Sequence, residues 1–231
     1  MISIPVNIKI LIPCYNGGKS AYDFLKCVEQ QLPKDQVLLV NDGSKLEFVE
    51  FLKSLDLPLL DFSENRGKGA VLKDGLEEGW ESADWVITMD CDGQHPLESL
   101  PDFVKKLAEI SPGVLIGARP FRLGEMPWAR VFSNRVSTKM VEGIAKTKVW
   151  DAQSGFRAYH KELGQKKLLP QPSRFQWESE VLIHAARSGL AVSKVEIPAI
   201  YGEEASHIDH FGDTMRFLKM LRRVKSEWKG K

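Results

Sequence analysis

The chain is poor in cysteine, in net charge and in long apolar runs. Cys14, Cys27 and Cys91 are odd in number, and no two form a CxxC pair. That argues against a disulfide framework and suits a reducing compartment. Lys and Arg number 32 against 31 Asp and Glu, a net charge of +1. The chain as a whole therefore makes no electrostatic case for binding nucleic acid. No apolar run reaches the length of a membrane span. The opening Met1-Ile2-Ser3-Ile4-Pro5 lacks the basic segment that begins a signal peptide. The expectation is a cytoplasmic protein. No repeat, low-complexity segment or clear linker interrupts the 231 residues, a length that suits one domain or one domain with an extension.

What is present is alternation. Apolar runs at 8–12, 37–40, 59–62, 85–89 and 114–116 predict strands, and amphipathic stretches at 20–31, 45–54, 68–81 and 97–110 predict helices between them. This β and α spacing implies crossover connections and an α/β fold with a mainly parallel sheet. In such sheets ligands gather at the carboxyl ends of the strands. Each of the first four runs is followed there by a polar cluster. The second half is less regular. It predicts helices at 128–147 and 177–188, a strand at 192–197, and a polar, Gly-containing insertion at 151–157.

The most informative cluster is Asp90-Cys91-Asp92-Gly93-Gln94-His95, directly after the run that ends at Met89. In extended backbone, residues i and i+2 point the same way. Asp90 and Asp92 would then face one cation, with Gln94 one alternation further on. Hard cations such as Mg²⁺ or Mn²⁺ take oxygen ligands and share them with substrate phosphates. The competing reading is an acidic turn, because Asp-Gly pairs are ordinary turn residues.

Two segments invite phosphate-binding readings. Asn16-Gly17-Gly18-Lys19-Ser20 looks like the end of a P-loop, but the first glycine of that pattern is replaced by Pro13, which lacks an N–H. Gly67-Lys68-Gly69 opens a predicted helix, whose free N–H groups favour anions. Leu72 stands where a dinucleotide fingerprint would need a third glycine. A glycine turn beside a surface lysine also fits this segment. Asp42 either bonds a base or ribose or caps the next helix, as Ser44 can also do. Tyr15 either stacks on a base or packs.

Pro13-Cys14-Tyr15-Asn16, Asn41-Asp42-Gly43-Ser44, Asn65-Arg66-Gly67-Lys68-Gly69-Ala70 and Asp90-Cys91-Asp92-Gly93-Gln94-His95 stand in one order. Gly117-Ala118-Arg119 and Asp151-Ala152-Gln153-Ser154-Gly155-Phe156-Arg157 follow. Jointly they resemble the family 2 inverting glycosyltransferases, and most nearly the polyprenyl or dolichyl-phosphate sugar synthases. The resemblance runs from about residue 8 to about residue 201. It implies a GT-A fold, a Rossmann-like, mainly parallel sheet flanked by helices. It also implies roles. Pro13, Tyr15, Asn16 and Asp42 would line the nucleotide pocket of a GDP- or UDP-sugar, and Lys68 would lie near the donor. Asp90, Asp92 and Gln94 would hold Mg²⁺ or Mn²⁺ on the diphosphate. Arg119, with Arg130 or Arg135, would face phosphate groups. Asp151 and Arg157 would shape the sugar and acceptor side, and Ser206 and His207 fall in a segment like the acceptor loop. Asp92, Arg119 and Asp151 would be the catalytic set.

An acceptor phosphate is already anionic near neutral pH and needs no strong base, whereas a sugar hydroxyl does. Asp151, Glu178 and Glu180 are the carboxylates available in the second half, the two glutamates reading also as solvated helix residues. Both acceptors remain open at this point. The C-terminal stretch leans toward a lipid phosphate. Residues 206–231 carry many cations, and Phe217, Leu221, Val224 and Trp228 recur at helical spacing. Such a helix either lies on an anionic membrane surface, at its cytoplasmic face, or packs on the 1–205 domain.

Overall fold

The structure, a computed structural model, describes residues 2–120, 128–171, 176–198 and 210–229; side chains at 128–130, 210, 211 and 213 fall outside the description. The elements run β1 (Ile8–Cys14), α1 (Lys19–Gln31), β2 (Val37–Asp42), α2 (Leu46–Ser54), β3 (Leu59–Phe62), α3 (Lys68–Gly79), β4 (Trp85–Thr88), α4 (Leu100–Leu107) and β5 (Gly113–Ala118). After them come α5 (Trp128–Ala145), β6 (Arg157–His160), α6 (Glu162–Gln165), α7 (Gln176–Arg187), β7 (Ala191–Glu196) and α8 (His210–Glu227).

The strands form one sheet in the order β3-β2-β1-β4-β6-β5-β7. β1 pairs in parallel with β2 and β4, β2 with β3, and β5 with β7. β6 alone among them runs against its neighbours, with Thr88 opposite Arg157 and Leu115 opposite Ala158. This strand falls at the end of a segment the sequence predicted as a polar insertion. Four residues opening with arginine give no apolar run to read, and the sheet itself supplies the reason they are extended.

Alternating strand residues feed two cores. Ile10 and Ile12 pack with α1, α2 and α4 on one face, through Leu25, Phe48 and Phe103. Leu11 packs on the other with Leu72 of α3, Val141 of α5, Trp177 of α7 and Leu221 of α8. The sheet is thus sandwiched between helical layers, and the central strands are buried on both sides, as parallel strands require.

Helix α8 packs through its apolar face. Met220, Leu221 and Val224 are buried, and Phe217 and Trp228 lie partly buried against the same core. Arg223 Nη2 donates to both carboxylate oxygens of Glu180 on α7 at 2.7 Å. The Arg187 guanidinium lies 5.4 Å from the Trp228 ring centroid and donates to the Trp228 carbonyl at 3.1 Å. The apolar stripe of α8 faces the protein, leaving Lys219, Arg222, Lys225 and Lys229 outward. No helix among the described residues is long and apolar enough to cross a membrane.

Candidate active site

The sheet direction places the ends of β1, β2, β4 and β5, with the start of β6, on one edge. Hydrogen bonds tie the polar clusters of that edge together in sequence order. Asn16, at φ +46°, donates its N–H to Ser44 Oγ at 3.0 Å and accepts the Lys45 N–H at 2.7 Å. The first strand end is thereby fastened to the second. Pro13 is partly buried beside it, and Tyr15 is 52% exposed, its ring open at the edge.

Asp42 fastens the second cluster to the third. Its side chain is buried and accepts from the Arg66 N–H at 2.6 Å, the Gly67 N–H at 3.1 Å and Asn65 Nδ2 at 2.9 Å. Gly67 adopts φ +86°, a conformation that disfavours a side chain, and it caps α3. Asp42 therefore fixes the turn that presents Lys68. Its carboxylate is engaged by these three donors.

Lys68 joins three clusters. Its Nζ lies 2.7 Å from Asp90 Oδ1 and 3.2 Å from Glu178 Oε2 on α7. Burial works to lower the Lys68 pKa, but the charges of Asp90 and Glu178 prevail and raise it, so the amine stays protonated. Burial likewise works to raise Asp90, yet opposing charges, Lys68 foremost, hold its carboxyl at about 2. His95 is pushed down to about 4, chiefly by burial. Its neutral ring accepts the Asp90 N–H at Nδ1, at 3.0 Å. Asp92 Oδ1 accepts the Gln94 N–H at 2.9 Å.

The Asp90 cluster is a turn and not extended chain. β4 ends at Thr88, and Gly93 sits at φ +75°. Asp90 and Asp92 therefore stand on a turn, and the strand alternation expected to place Gln94 does not hold. Gly155 shows how tightly the turn is packed: a Cβ there would lie 2.2 Å from Asp90 Oδ2.

The residues fit a hard divalent cation. Asp90 and Asp92 offer oxygen donors, Asp90 is ionised at any ordinary pH, and a positive group already rests on its Oδ1. Among the described residues no three His, Cys, Asp or Glu converge on one point. A Mg²⁺-type ion held by one or two carboxylates, with phosphate and water completing its shell, needs no more.

Arg119 follows β5 on the same edge. Its Nε and Nη2 donate to Asp151 Oδ2 and Oδ1 at 2.8 and 3.2 Å. Asp151 is fully buried and also accepts the Gln153 N–H at 3.0 Å. Both carboxylate oxygens therefore serve to orient Arg119 and the following loop.

Arg157 corrects an expectation. It was placed on the acceptor side, but it is fully buried and makes three bonds to backbone carbonyls: Ser154 at 2.6 Å, Glu178 at 2.5 Å and Ala152 at 2.8 Å. It ties the 151–156 loop to the start of α7. Arg157→Ala should lower unfolding free energy by about 3 kcal/mol or more, since each stranded buried carbonyl costs about 1–3 kcal/mol. Lysine should not rescue it, because one ammonium cannot reproduce a planar fork. Denaturant titration checks this; an unchanged midpoint with a raised acceptor KM would restore the direct role.

The glutamates bring a second correction. Glu178 and Glu180, readable as solvated, are 7% and 1% exposed. Glu178 is a site residue that sequence reasoning weighed only as a possible base. Both flank the apolar stripe of α7, and nothing local distinguishes such positions from surface ones. Arg135 is exposed on α5. The side chain of Arg130, and Ser206 and His207 entirely, lie outside the described residues.

Residues 9–166 match the family model described as glycosyl transferase family 2. Among curated proteins, the chain is 26% identical over 220 residues to a UDP-N-acetylglucosamine–dolichyl-phosphate N-acetylglucosaminyltransferase of Methanococcus voltae, covering 85% of this chain and 86% of that one. It is 22% identical over 250 residues to a dolichyl-phosphate beta-glucosyltransferase of Dictyostelium discoideum, covering 95% and 74%. Among solved structures, a glucosyl-3-phosphoglycerate synthase from Mycobacterium tuberculosis, with Mn²⁺, UDP-glucose and phosphoglyceric acid, superposes with a TM-score of 0.73 at 19% identity, covering 95% and 80%. That likeness establishes the GT-A architecture. With the motifs gathered on one sheet edge and the family model spanning most of the chain, the protein belongs to glycosyl transferase family 2 and is a glycosyltransferase of the GT-A fold.

Proposed function

We propose that this enzyme transfers a sugar, with inversion, from a nucleoside-diphosphate sugar to a polyprenyl phosphate of the dolichyl type, using a divalent cation. The observation that carries the choice of acceptor is the pairing of the second-half carboxylates. Asp151 is closed by Arg119 and Glu180 by Arg223, which leaves of these three only Glu178 Oε1, its other oxygen being ion-paired to Lys68. A hydroxyl acceptor would need one of them as a base, whereas a phosphate brings its own negative charge. The names of the Methanococcus and Dictyostelium relatives support the same acceptor class, and the former supports a UDP-linked donor.

In this reading Tyr15 covers the base, and the Asp42-held turn sets the height of Lys68 against the diphosphate. A divalent cation at Asp90 and Asp92 supplies charge that neutralises the leaving nucleotide. Lys68 and Arg119 add fixed positive charge that needs no reorganisation during transfer. Gln94 supports the Asp92 carboxylate through its backbone N–H.

The test is transfer by the purified protein with Mn²⁺, a panel of UDP- and GDP-sugars, and either dolichyl phosphate or free sugars as acceptor. Product on the lipid phosphate alone is the expected result. Product on free sugars alone would replace this reading with a transferase acting on hydroxyls. Membrane contact, if the lipid is the acceptor, is electrostatic, because α8 turns its apolar face inward. Binding to anionic vesicles should fall as salt rises, since exposed charges are screened. Salt-insensitive binding in a sedimentation assay would contradict that.

A further inference from the structure

Helix α5 is built inside out. A surface helix ordinarily turns its apolar stripe to the core and its polar residues to water. On α5 the buried face carries Asn134, Ser137 and Thr138 between Val131 and Val141. The outward face carries Phe132, Val136 and Met140, which are 66%, 41% and 37% exposed. A spacing of four residues lines them up along one side of the helix. With Arg135 and Lys139 they line a single open groove there.

The inner polar face has a task beside the site. Thr138 Oγ1 accepts the Ala152 N–H at 3.0 Å, and Glu142 Oε1 accepts the Val149 N–H at 3.2 Å. The segment held this way supplies Asp151, which orients Arg119. Val136 and Met140 lie two residues either side of Thr138, so at about 100° per residue they point away from that segment. None of this bonding calls for apolar side chains on the outside. A row of them in water marks an interaction surface.

Charge selects what covers it. Between 131 and 150 stand Arg135, Lys139, Lys146 and Lys148 against one acid, Glu142, in a chain whose net charge is only +1. All four cations are exposed. Lys139 pairs with Glu142 at 2.8 Å yet keeps 78% of its side chain in water. A second copy seated on this stripe would bring its own cations to the same seam. An anionic lipid surface offers the opposite charge, with an apolar interior beneath it.

We propose that α5 is the face by which this enzyme docks on an anionic bilayer, with Phe132, Val136 and Met140 entering the headgroup layer. The proposal rests on the reading of the acceptor as a polyprenyl phosphate. α8 packs against α5, and its outward cations draw the enzyme to the surface; the α5 stripe sets which way it faces. Such a stripe sinks about 5–10 Å into the boundary of headgroups and acyl chains. A helix with its side chains is only about 10–12 Å across. The Asp151 segment, on the inner side of α5, then stands close above the headgroups, and a lipid phosphate can reach Arg119 with its chain still in the membrane.

The experiment is cosedimentation of the full chain with phosphatidylcholine vesicles containing phosphatidylglycerol. Phe132→Ser with Val136→Ser should weaken binding about 10-fold or more, because burial of a phenylalanine side chain alone is worth roughly that factor. Phe132→Ser alone, at the most open of the three positions, should show most of the loss, and Phe132→Leu should restore most of the binding. Val6→Ser and Leu46→Ser, at residues 86% and 72% exposed elsewhere, should bind as the parent does. The serine pair should also keep its rate of transfer to a short, water-soluble prenyl phosphate and lose activity only with dolichyl phosphate in the vesicles. Parental binding by the serine pair, or an equal loss in Val6→Ser and Leu46→Ser, would overturn the docking face. So would a serine pair that still bound vesicles but changed from dimer to monomer in sedimentation velocity, which would make the stripe an interface between copies. The acceptor reading fails separately: no product on either prenyl phosphate would remove it, while vesicle binding would still decide the face.

Discussion

Asp92→Asn should slow sugar transfer by about 10²-fold or more, a loss of roughly 2.7 kcal/mol of barrier lowering. EDTA should abolish transfer, with Mg²⁺ or Mn²⁺ restoring it. The variant keeps the shape of the side chain and its bond from the Gln94 N–H, so the turn should survive. What it removes is a negative oxygen ligand, in a site where Asp90 already shares its charge with Lys68. Asp90→Asn should be at least as severe in turnover and should also unsettle Lys68, whose raised pKa depends on Asp90 before Glu178. The two variants are told apart by unfolding: only Asp90→Asn should shift the denaturation midpoint. Calorimetry should show weakened Mn²⁺-dependent UDP binding in both. Full activity in EDTA would remove the cation from this mechanism and leave Lys68 and Arg119 as its only fixed positive charges among the residues argued above.

The gathering of the polar clusters on one edge was legible because a parallel sheet collects strand ends. Asn16, Asp42, Lys68 and Asp90 each follow a short apolar run, and the fold needs no further information to bring them together. Three things were not legible. β6 begins at the last residue of a polar segment and is too short to read as an apolar run, and its extended form is imposed by pairing with β4 and β5. The Asp90 cluster reads equally as strand or turn in one dimension, and positive φ at Gly93 decides for the turn. The charges of α7 looked solvated because helical spacing places Glu178 and Glu180 beside the buried stripe and not opposite it. Their partners, Lys68 and Arg223, come from segments about 110 and 43 residues away in sequence, a distance no local pattern spans. Arg157 was hidden for a related reason: it looks like a ligand-facing cation in sequence, but its guanidinium satisfies buried carbonyls of the 151–156 loop.

Glu178→Gln is the cleanest decision between acceptors. Of the three carboxylates weighed as a base, Asp151 has both oxygens occupied by Arg119, and both Glu180 oxygens accept from Arg223. Glu178 is different: Oε2 lies 3.2 Å from Lys68, while Oε1 is buried without a hydrogen-bond partner. If a base acts on a hydroxyl acceptor, this oxygen is the one placed to do it. Glutamine there should then cut kcat by about 10²–10⁴-fold, the usual range for loss of a general base. With a phosphate acceptor the same change should leave kcat within about 3-fold, under 1 kcal/mol of barrier, because glutamine keeps an oxygen beside Lys68, and should raise the donor KM through Lys68. Glu180→Gln is the weaker test, because it also loosens α8. The matching positive control removes Arg119 and Asp151 together, as Arg119→Gln with Asp151→Asn, so that no buried carboxylate is stranded. That pair should lose about 10²-fold or more with a phosphate acceptor, the scale of removing one fixed charge-stabilising group. A collapse at Glu178 with little change at Arg119 would overturn the lipid-phosphate reading and make this family 2 enzyme a transferase to hydroxyls.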